Sequence, residues 1–231
     1  MGAAEVVMTT GGLGNAGLVA VLAILPLVVL MLTSFVKISV VLSLVRNAIG
    51  SPDAPSGLVV MGLSLVLTMF VMAPVAVEMV QAAATPSVTA PAPSELETAV
   101  RTLVPADRQG DVDAVARALV PLEKFLARHA GAKDRATFVE LAARMGRATK
   151  GDELWVLAPA FLTTELREAF AIAVLIFLPF LVIDLIVGLG LASLGMASTS
   201  PQVVALPLKL LLFVAVDGWR LLVDALLRGY V

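Results

Sequence analysis

Residues 169–195 read AFAIAVLIFLPFLVIDLIVGLGLASLG, an apolar run in which a single acid, Asp184, is embedded. A second apolar run, 203–227, carries Leu206-Pro207-Leu208-Lys209-Leu210, which places one base in the same kind of sequence. A charged side chain in hydrocarbon costs about 2.5 to 3.5 kcal/mol even on lenient insertion scales, so such residues are functional-site or pairing hypotheses by default. The runs are joined by Met196-Ala197-Ser198-Thr199-Ser200-Pro201-Gln202, a short uncharged segment that reads as the tip of a helical hairpin. At a rise of about 1.5 Å per residue, Asp184 falls roughly 17 Å before the tip and Lys209 roughly 11 Å after it. The offset is about one turn, which a lysine side chain spans.

The rest of the chain is consistent with that reading. Hydrophobic residues make up 59% of the 231 positions and charged ones 15%, with a mean hydropathy of +0.99. A soluble domain is roughly 45 to 50% apolar, so the class is an all-α membrane-associated protein. The net charge of −2 offers no basic field for nucleic acid, and no Gly-rich phosphate loop follows a strand. With no cysteine, disulfides, thiolate catalysis and Cys-ligated metal are excluded. His129 is the only histidine, so no His-x-x-x-His metal pair exists, and its reading is a solvated or locally bonded side chain. No pair of carboxylates or nucleophile with a base lies at matching depth, so the chain reads as a non-enzyme with no cofactor and no metal.

Four segments follow. Residues 1–17 are an N-terminal tail without the basic stretch of a standard signal peptide. Residues 18–77 are a first hydrophobic helical hairpin, with breaks expected at Pro26 and Pro74 and a connection rich in Gly and Pro around 46–55. Residues 78–168 hold most of the charge and read as a water-facing segment of about three short amphipathic helices. Their signs are a capping box at Ser94 and Glu97, a stripe of Val115, Leu119, Leu122 and Leu126, and a second stripe of Phe138, Leu141, Ala142 and Met145 after a cap at Asp134. Residues 169–231 form the second hydrophobic hairpin, with further breaks at Pro179 and Pro207. The positive charge of Lys37 and Arg46 places the first loop on the cytoplasmic side and the charged segment outside.

Several motifs in this order resemble the FliP/SctR family of type III secretion export-gate proteins. They are Thr33-Ser34-Phe35-Val36-Lys37-Ile38, Val41-Leu42-Ser43-Leu44-Val45-Arg46-Asn47-Ala48-Ile49-Gly50 and Phe70-Val71-Met72-Ala73-Pro74-Val75 in the first half. In the second half they are Phe177-Leu178-Pro179-Phe180-Leu181-Val182-Ile183-Asp184-Leu185 and the run from Leu206 to Trp219. Within the charged segment the resemblance is confined to Pro121-Leu122-Glu123-Lys124-Phe125-Leu126 and Thr164-Glu165-Leu166-Arg167-Glu168-Ala169-Phe170. Lys37, with Arg46-Asn47, looks closer to the injectisome branch, SctR, than to flagellar FliP. A flagellar FliP-type subunit is the alternative, and a small-solute transporter the rival from another class.

The resemblance implies a core subunit of the export gate in the bacterial inner membrane, with a periplasmic segment. Five copies form a helical channel with SctS/FliQ-like and SctT/FliR-like subunits, and then with SctU/FlhB-like and SctV/FlhA-like components. Unfolded secretion substrates pass along its axis. In this family the assembled gate sits largely above the membrane plane, so its apolar surfaces are covered by neighbours as well as by lipid. The loop at 196–202 is where the family carries a run of methionines that seal the pore. Here only Met196 remains, followed by the smaller Ala197, Ser198 and Thr199, which become the candidate constriction.

The charged residues keep more than one reading. Asp184 and Lys209 are expected either to pair and lock the hairpin or to serve separate neighbouring subunits, and Asp184 with Asp217 is the only basis for a proton relay. Lys37 either pairs with an acid of an adjacent copy or reaches toward head groups. Asp217-Gly218-Trp219 is expected to be a helix break at an interface.

Overall fold

The computed structural model describes residues 27–50, 55–85, 98, 109–196 and 198–230. Their helices are α1 (Phe35–Ile49), α2 (Gly57–Ala84), α3 (Gln109–His129), α4 (Ala132–Arg144), α5 (Leu154–Ser193), α6 (Pro201–Ala215) and α7 (Gly218–Leu227), followed by a 3₁₀ turn, Arg228–Tyr230. Among the described residues there is no strand, and the fold is all-α. The tail at 1–17, Pro26, the capping box at Ser94 and Glu97, and Ala197 of the tip loop lie outside the described residues.

Three of the expected proline breaks are not breaks. α2 runs through Pro74, α5 through Pro179 and α6 through Pro207. An internal proline forfeits one backbone bond. Ending the helix in apolar surroundings would instead strand several N–H and C=O groups without water, which is the larger cost. The charged-to-apolar boundary at 168/169 is likewise not an element boundary, because α5 begins at Leu154 and crosses it without interruption. Asp134 is not the cap of α4. The N-cap is Gly131, and Asp134 sits in the first turn, where a carboxylate still favours the positive end of the helix.

Contacts divide the described residues into two compact units, those up to Thr33 with those of 73–161, and those of 34–72 with those from Leu162 onward. The division falls inside α2 and α5, so each of these helices gives one end to each unit. In the first unit Leu122, Phe125 and Leu126 of α3 are buried, as are Val156, Leu157 and Phe161 of α5. The Phe125 ring lies 5.7 Å from Phe161 and 4.6 Å from His129, so the lone histidine is half-buried against an aromatic face. Val115 on α3, and Leu141 and Met145 on α4, are exposed, so those stripes extend beyond the packed face. Arg117 donates to the carbonyls of Ala82 and Ala83, both at 3.3 Å, and so satisfies acceptors left open at the end of α2.

The second unit is built on α1, whose Ile38, Val41, Leu42, Val45, Ala48 and Ile49 repeat at helical spacing and form one buried stripe. Val60 of α2, Ala169 and Phe180 of α5, Phe213 of α6, and Leu222 and Leu226 of α7 complete this core. Helix α2 is turned inside out. Its buried positions are Val60, Ser64 and Thr68, whereas Leu58, Met61, Val66, Met69 and Phe70 are exposed. The two hydroxyls remain satisfied by donating back along the helix, Ser64 to the Val60 carbonyl at 2.7 Å and Thr68 to the Ser64 carbonyl at 2.6 Å. Small polar residues on the packed face and large apolar ones outward is the arrangement of helices that face oil. By length and composition, α2 and α5 are each sufficient to cross a membrane.

Candidate functional site

Two cation-centred clusters lie inside the second unit. The first joins three helices. Lys209, on α6, places its Nζ 2.7 Å from an Asp184 carboxylate oxygen on α5 and 3.1 Å from the Ala48 carbonyl on α1. That carbonyl belongs to the last turn of α1, where helix carbonyls run out of intrahelical donors, so the ammonium also caps a helix. The Lys209 side chain is 7% exposed and that of Asp184 36%, so the base is sealed and the acid reaches an edge. A small cleft lined by Asn47, Gly50, Phe177, Asp184, Gln202 and Lys209 opens beside them.

The second cluster is formed around Lys37, in the first turn of α1. Its Nζ is 3.1 Å from Glu165 and 2.7 Å from Glu168, both on α5, and the side chains of Lys37 and Glu165 are 2% and 1% exposed. Within this chain, then, Lys37 has two acidic partners, both supplied by α5. The ring of Tyr230 covers the ammonium with its centroid 4.3 Å from Nζ, and the Tyr230 hydroxyl donates to Glu165. Burial, and then the Glu165 charge, push the Tyr230 hydroxyl far above its ordinary value, so it remains a protonated donor.

The remaining sequence-predicted residues occupy other places. Arg46 is half-buried in the last turn of α1, a position where its charge favours the helix C-terminus. Asp217 is exposed at the corner between α6 and α7, with φ at +52°, and belongs to neither cluster. Next to it Gly218 is obligatory for packing, since a Cβ there would stand 2.4 Å from the Phe213 ring, which in turn makes an edge-on contact with Trp219 at 5.3 Å.

The tip of the α5–α6 hairpin is defined at both ends. Gly195 takes the left-handed conformation at φ +73°, with its N–H on the Ala192 carbonyl and that of Met196 on the Leu191 carbonyl, a Schellman stop. Helix α6 restarts at Pro201, a residue suited to a first helical position. Between the two, Met196 and Ser198 are exposed and Thr199 is half-buried, with the Thr199 N–H donating to the Met196 carbonyl at 3.0 Å.

Glu165, Glu168 and Tyr230 were not singled out as site residues by sequence reasoning. The available signal was the segment from Thr164 to Phe170, two acids one turn apart at the entry to the most apolar run in the chain.

These features define an all-α protein with two helices long and apolar enough to cross a membrane, two buried lysine-centred clusters, and large apolar side chains exposed on α2 and α5. The chain belongs to the FliP family, whose model matches residues 18–226. It is 40% identical over 217 residues to the "Pathogenicity-related ORF2" protein of Xanthomonas campestris pv. glycines, covering 92% of this chain and 94% of that one. It is 38% identical to the "Hypersensitivity response secretion protein HrcR" of Ralstonia nicotianae, over 90% of this chain and 93% of that one. With the "Flagellar biosynthetic protein FliP" of Bacillus subtilis it shares 36% identity, over 92% and 89% respectively.

Proposed function

We propose that this chain is the FliP/SctR-type core subunit of a type III protein secretion export gate, a non-enzymatic channel component that passes unfolded proteins across the bacterial inner membrane. Its family membership and the secretion and flagellar names of its relatives support the machine. The observation that carries the subunit's role is the inversion of α2, continued on α5 by exposed Val174, Leu175, Leu178, Leu181, Leu185 and Ile186. Apolar surface on that scale requires a cover, and lipid and neighbouring subunits are the two covers such a machine supplies.

In this reading five copies pack side by side with SctS/FliQ-like and SctT/FliR-like subunits, and SctU/FlhB-like and SctV/FlhA-like components join the assembly. Residues 78–168, with α3 and α4, are the periplasmic part. The 196–202 loop, through Met196, Ala197, Ser198 and Thr199, forms the constriction. The Asp184–Lys209 pair fixes the hairpin that presents this loop, and Asp217-Gly218-Trp219 turns the chain at an interface.

Native mass spectrometry of the detergent-solubilised chain, alone and co-expressed with its chromosomal neighbours, tests this. A five-fold species that takes up small hydrophobic subunits is expected. A stable monomer or dimer that recruits nothing overturns it.

A further inference from the structure

The Lys37 cluster is closed by the end of the described chain. Lys37 and Glu165 are buried to a few per cent; among the described residues α1 and α5 supply the ion pairs, and the Arg228–Tyr230 turn lies against the same ammonium. Two residues of that turn, Gly229 and Tyr230, meet the ion pair. The Tyr230 ring lies over the Lys37 nitrogen at 4.3 Å, the Tyr230 hydroxyl binds the carboxylate that pairs with it, and a Cβ at Gly229 would stand 3.2 Å from it. The last distance is tighter than ordinary van der Waals contact, so a side chain at Gly229 would press on the ammonium.

We propose that the Arg228–Tyr230 turn is a strap that seals Lys37, with Tyr230 as a positioning residue that aligns Glu165 on the ammonium and excludes water from the pair. The reasoning is geometric. Glu168 holds the same ammonium but is 47% exposed, so it leaves a wet edge and does not itself exclude solvent. Glu165 has two oxygens, of which one faces Lys37 and the other takes the phenol proton. The phenol therefore fixes the rotation of the carboxylate, while its ring supplies a π-face to the cation. The strap also anchors α7, whose Leu222 and Leu226 lie in the core just before it, to the first turn of α1. None of this depends on what passes through an assembled gate.

The strap is tested by the reactivity of lysines in the intact detergent-solubilised chain. The protein is treated briefly with an amine-acylating reagent, and peptide mass spectrometry reads each site. In the native chain Lys37 and Lys209 are expected to be refractory, with exposed Lys133 and Lys150 acylated as controls. Tyr230→Leu, which removes ring and hydroxyl, is expected to raise Lys37 acylation at least tenfold while leaving Lys209 refractory. Tyr230→Phe, which keeps the ring, is expected to raise it a few-fold. Unchanged Lys37 reactivity in Tyr230→Leu overturns the strap. Should Lys37 and Lys209 both become reactive in Tyr230→Leu, the fold itself has been lost and Tyr230→Phe decides, with native-like reactivity at Lys37 in that variant overturning the proposal.

Discussion

Lys209 and Asp184 meet at 2.7 Å across the α5–α6 hairpin, and the same ammonium is 3.1 Å from the Ala48 carbonyl at the end of α1. One cation thus balances a carboxylate and a helix terminus together. The asymmetry of exposure matters for energetics, because the base is 7% exposed and the acid 36%. A pair of this kind contributes little net stability over an apolar substitute, but it resists being broken from one side.

The two halves of the pair are therefore unequal. Asp184→Ala leaves a nearly buried ammonium with one carbonyl, and is expected to destabilise the chain by about 3 kcal/mol, the lower end of the range for removing one partner of a buried pair. Lys209→Met leaves a carboxylate that hydrates at the cleft, and is expected to cost roughly half as much. Unfolding of both variants and of the double variant in detergent, followed by tryptophan fluorescence, checks the order. Equal losses for the two single variants would mean that the cleft offers Asp184 no solvent. If neither variant impairs assembly or secretion, the pair is dispensable to the gate.

The two clusters differ in how far they could be read from the sequence. Asp184 and Lys209 lie in one hairpin with a short tip, so helical rise alone brings their depths to within a turn. Lys37 offers no such ruler: its acids lie far along the chain, inside a segment that composition assigns to water, and its cover lies further still. The all-α class and the apolar halves follow from composition and periodicity. Helix ends were less legible wherever proline was the signal, since Pro74, Pro179 and Pro207 are all inside helices here. Local rules count the one bond a proline removes, whereas the surroundings set the cost of exposing the others.

Glu153 gives the start of α5 a pH dependence of known sign. Its carboxylate accepts from the Thr149 hydroxyl and from the Lys150 and Gly151 amides, and the Thr149 bond leads in holding it below the ordinary value of 4.5. Below that value the unfolded chain takes up the proton first, so the native state binds fewer protons and stability rises with pH. The contribution is fully present above about pH 4.5 and is lost as pH falls through the lower native value; solvent screening keeps it under about 1 kcal/mol. Amide exchange at residues 149–157 is expected to accelerate across that acid window in the native chain. Glu153→Gln is expected to remove the pH step, and a step that survives it would assign the effect to another group.

Gly218→Ala tests the corner between α6 and α7. The added methyl meets the Phe213 ring, which is buried and held by Trp219, so it is expected to cost about 1 to 3 kcal/mol as overpacking. Phe213→Leu in the same chain opens that space and is expected to recover part of the loss. Two costs that simply add in a double-mutant cycle would show that the ring relaxes freely and that Gly218 serves another purpose.

The hairpin tip carries the last prediction. Both ends of the 196–202 loop are set by backbone chemistry, at the Gly195 stop and the Pro201 start, so substitutions between them change the lining without moving the helices. A seal made of one methionine and several small residues has less flexible apolar volume to close around nothing than a methionine run has. Ala197→Gly with Ser198→Gly removes still more lining, and is expected to raise small-ion leak through the assembled gate in a vesicle conductance assay. Ser198→Met with Thr199→Met restores apolar volume and is expected to lower the leak below that of the native chain. The opposed signs separate a seal from a spacer, because a loop that merely connects α5 to α6 would respond to neither change.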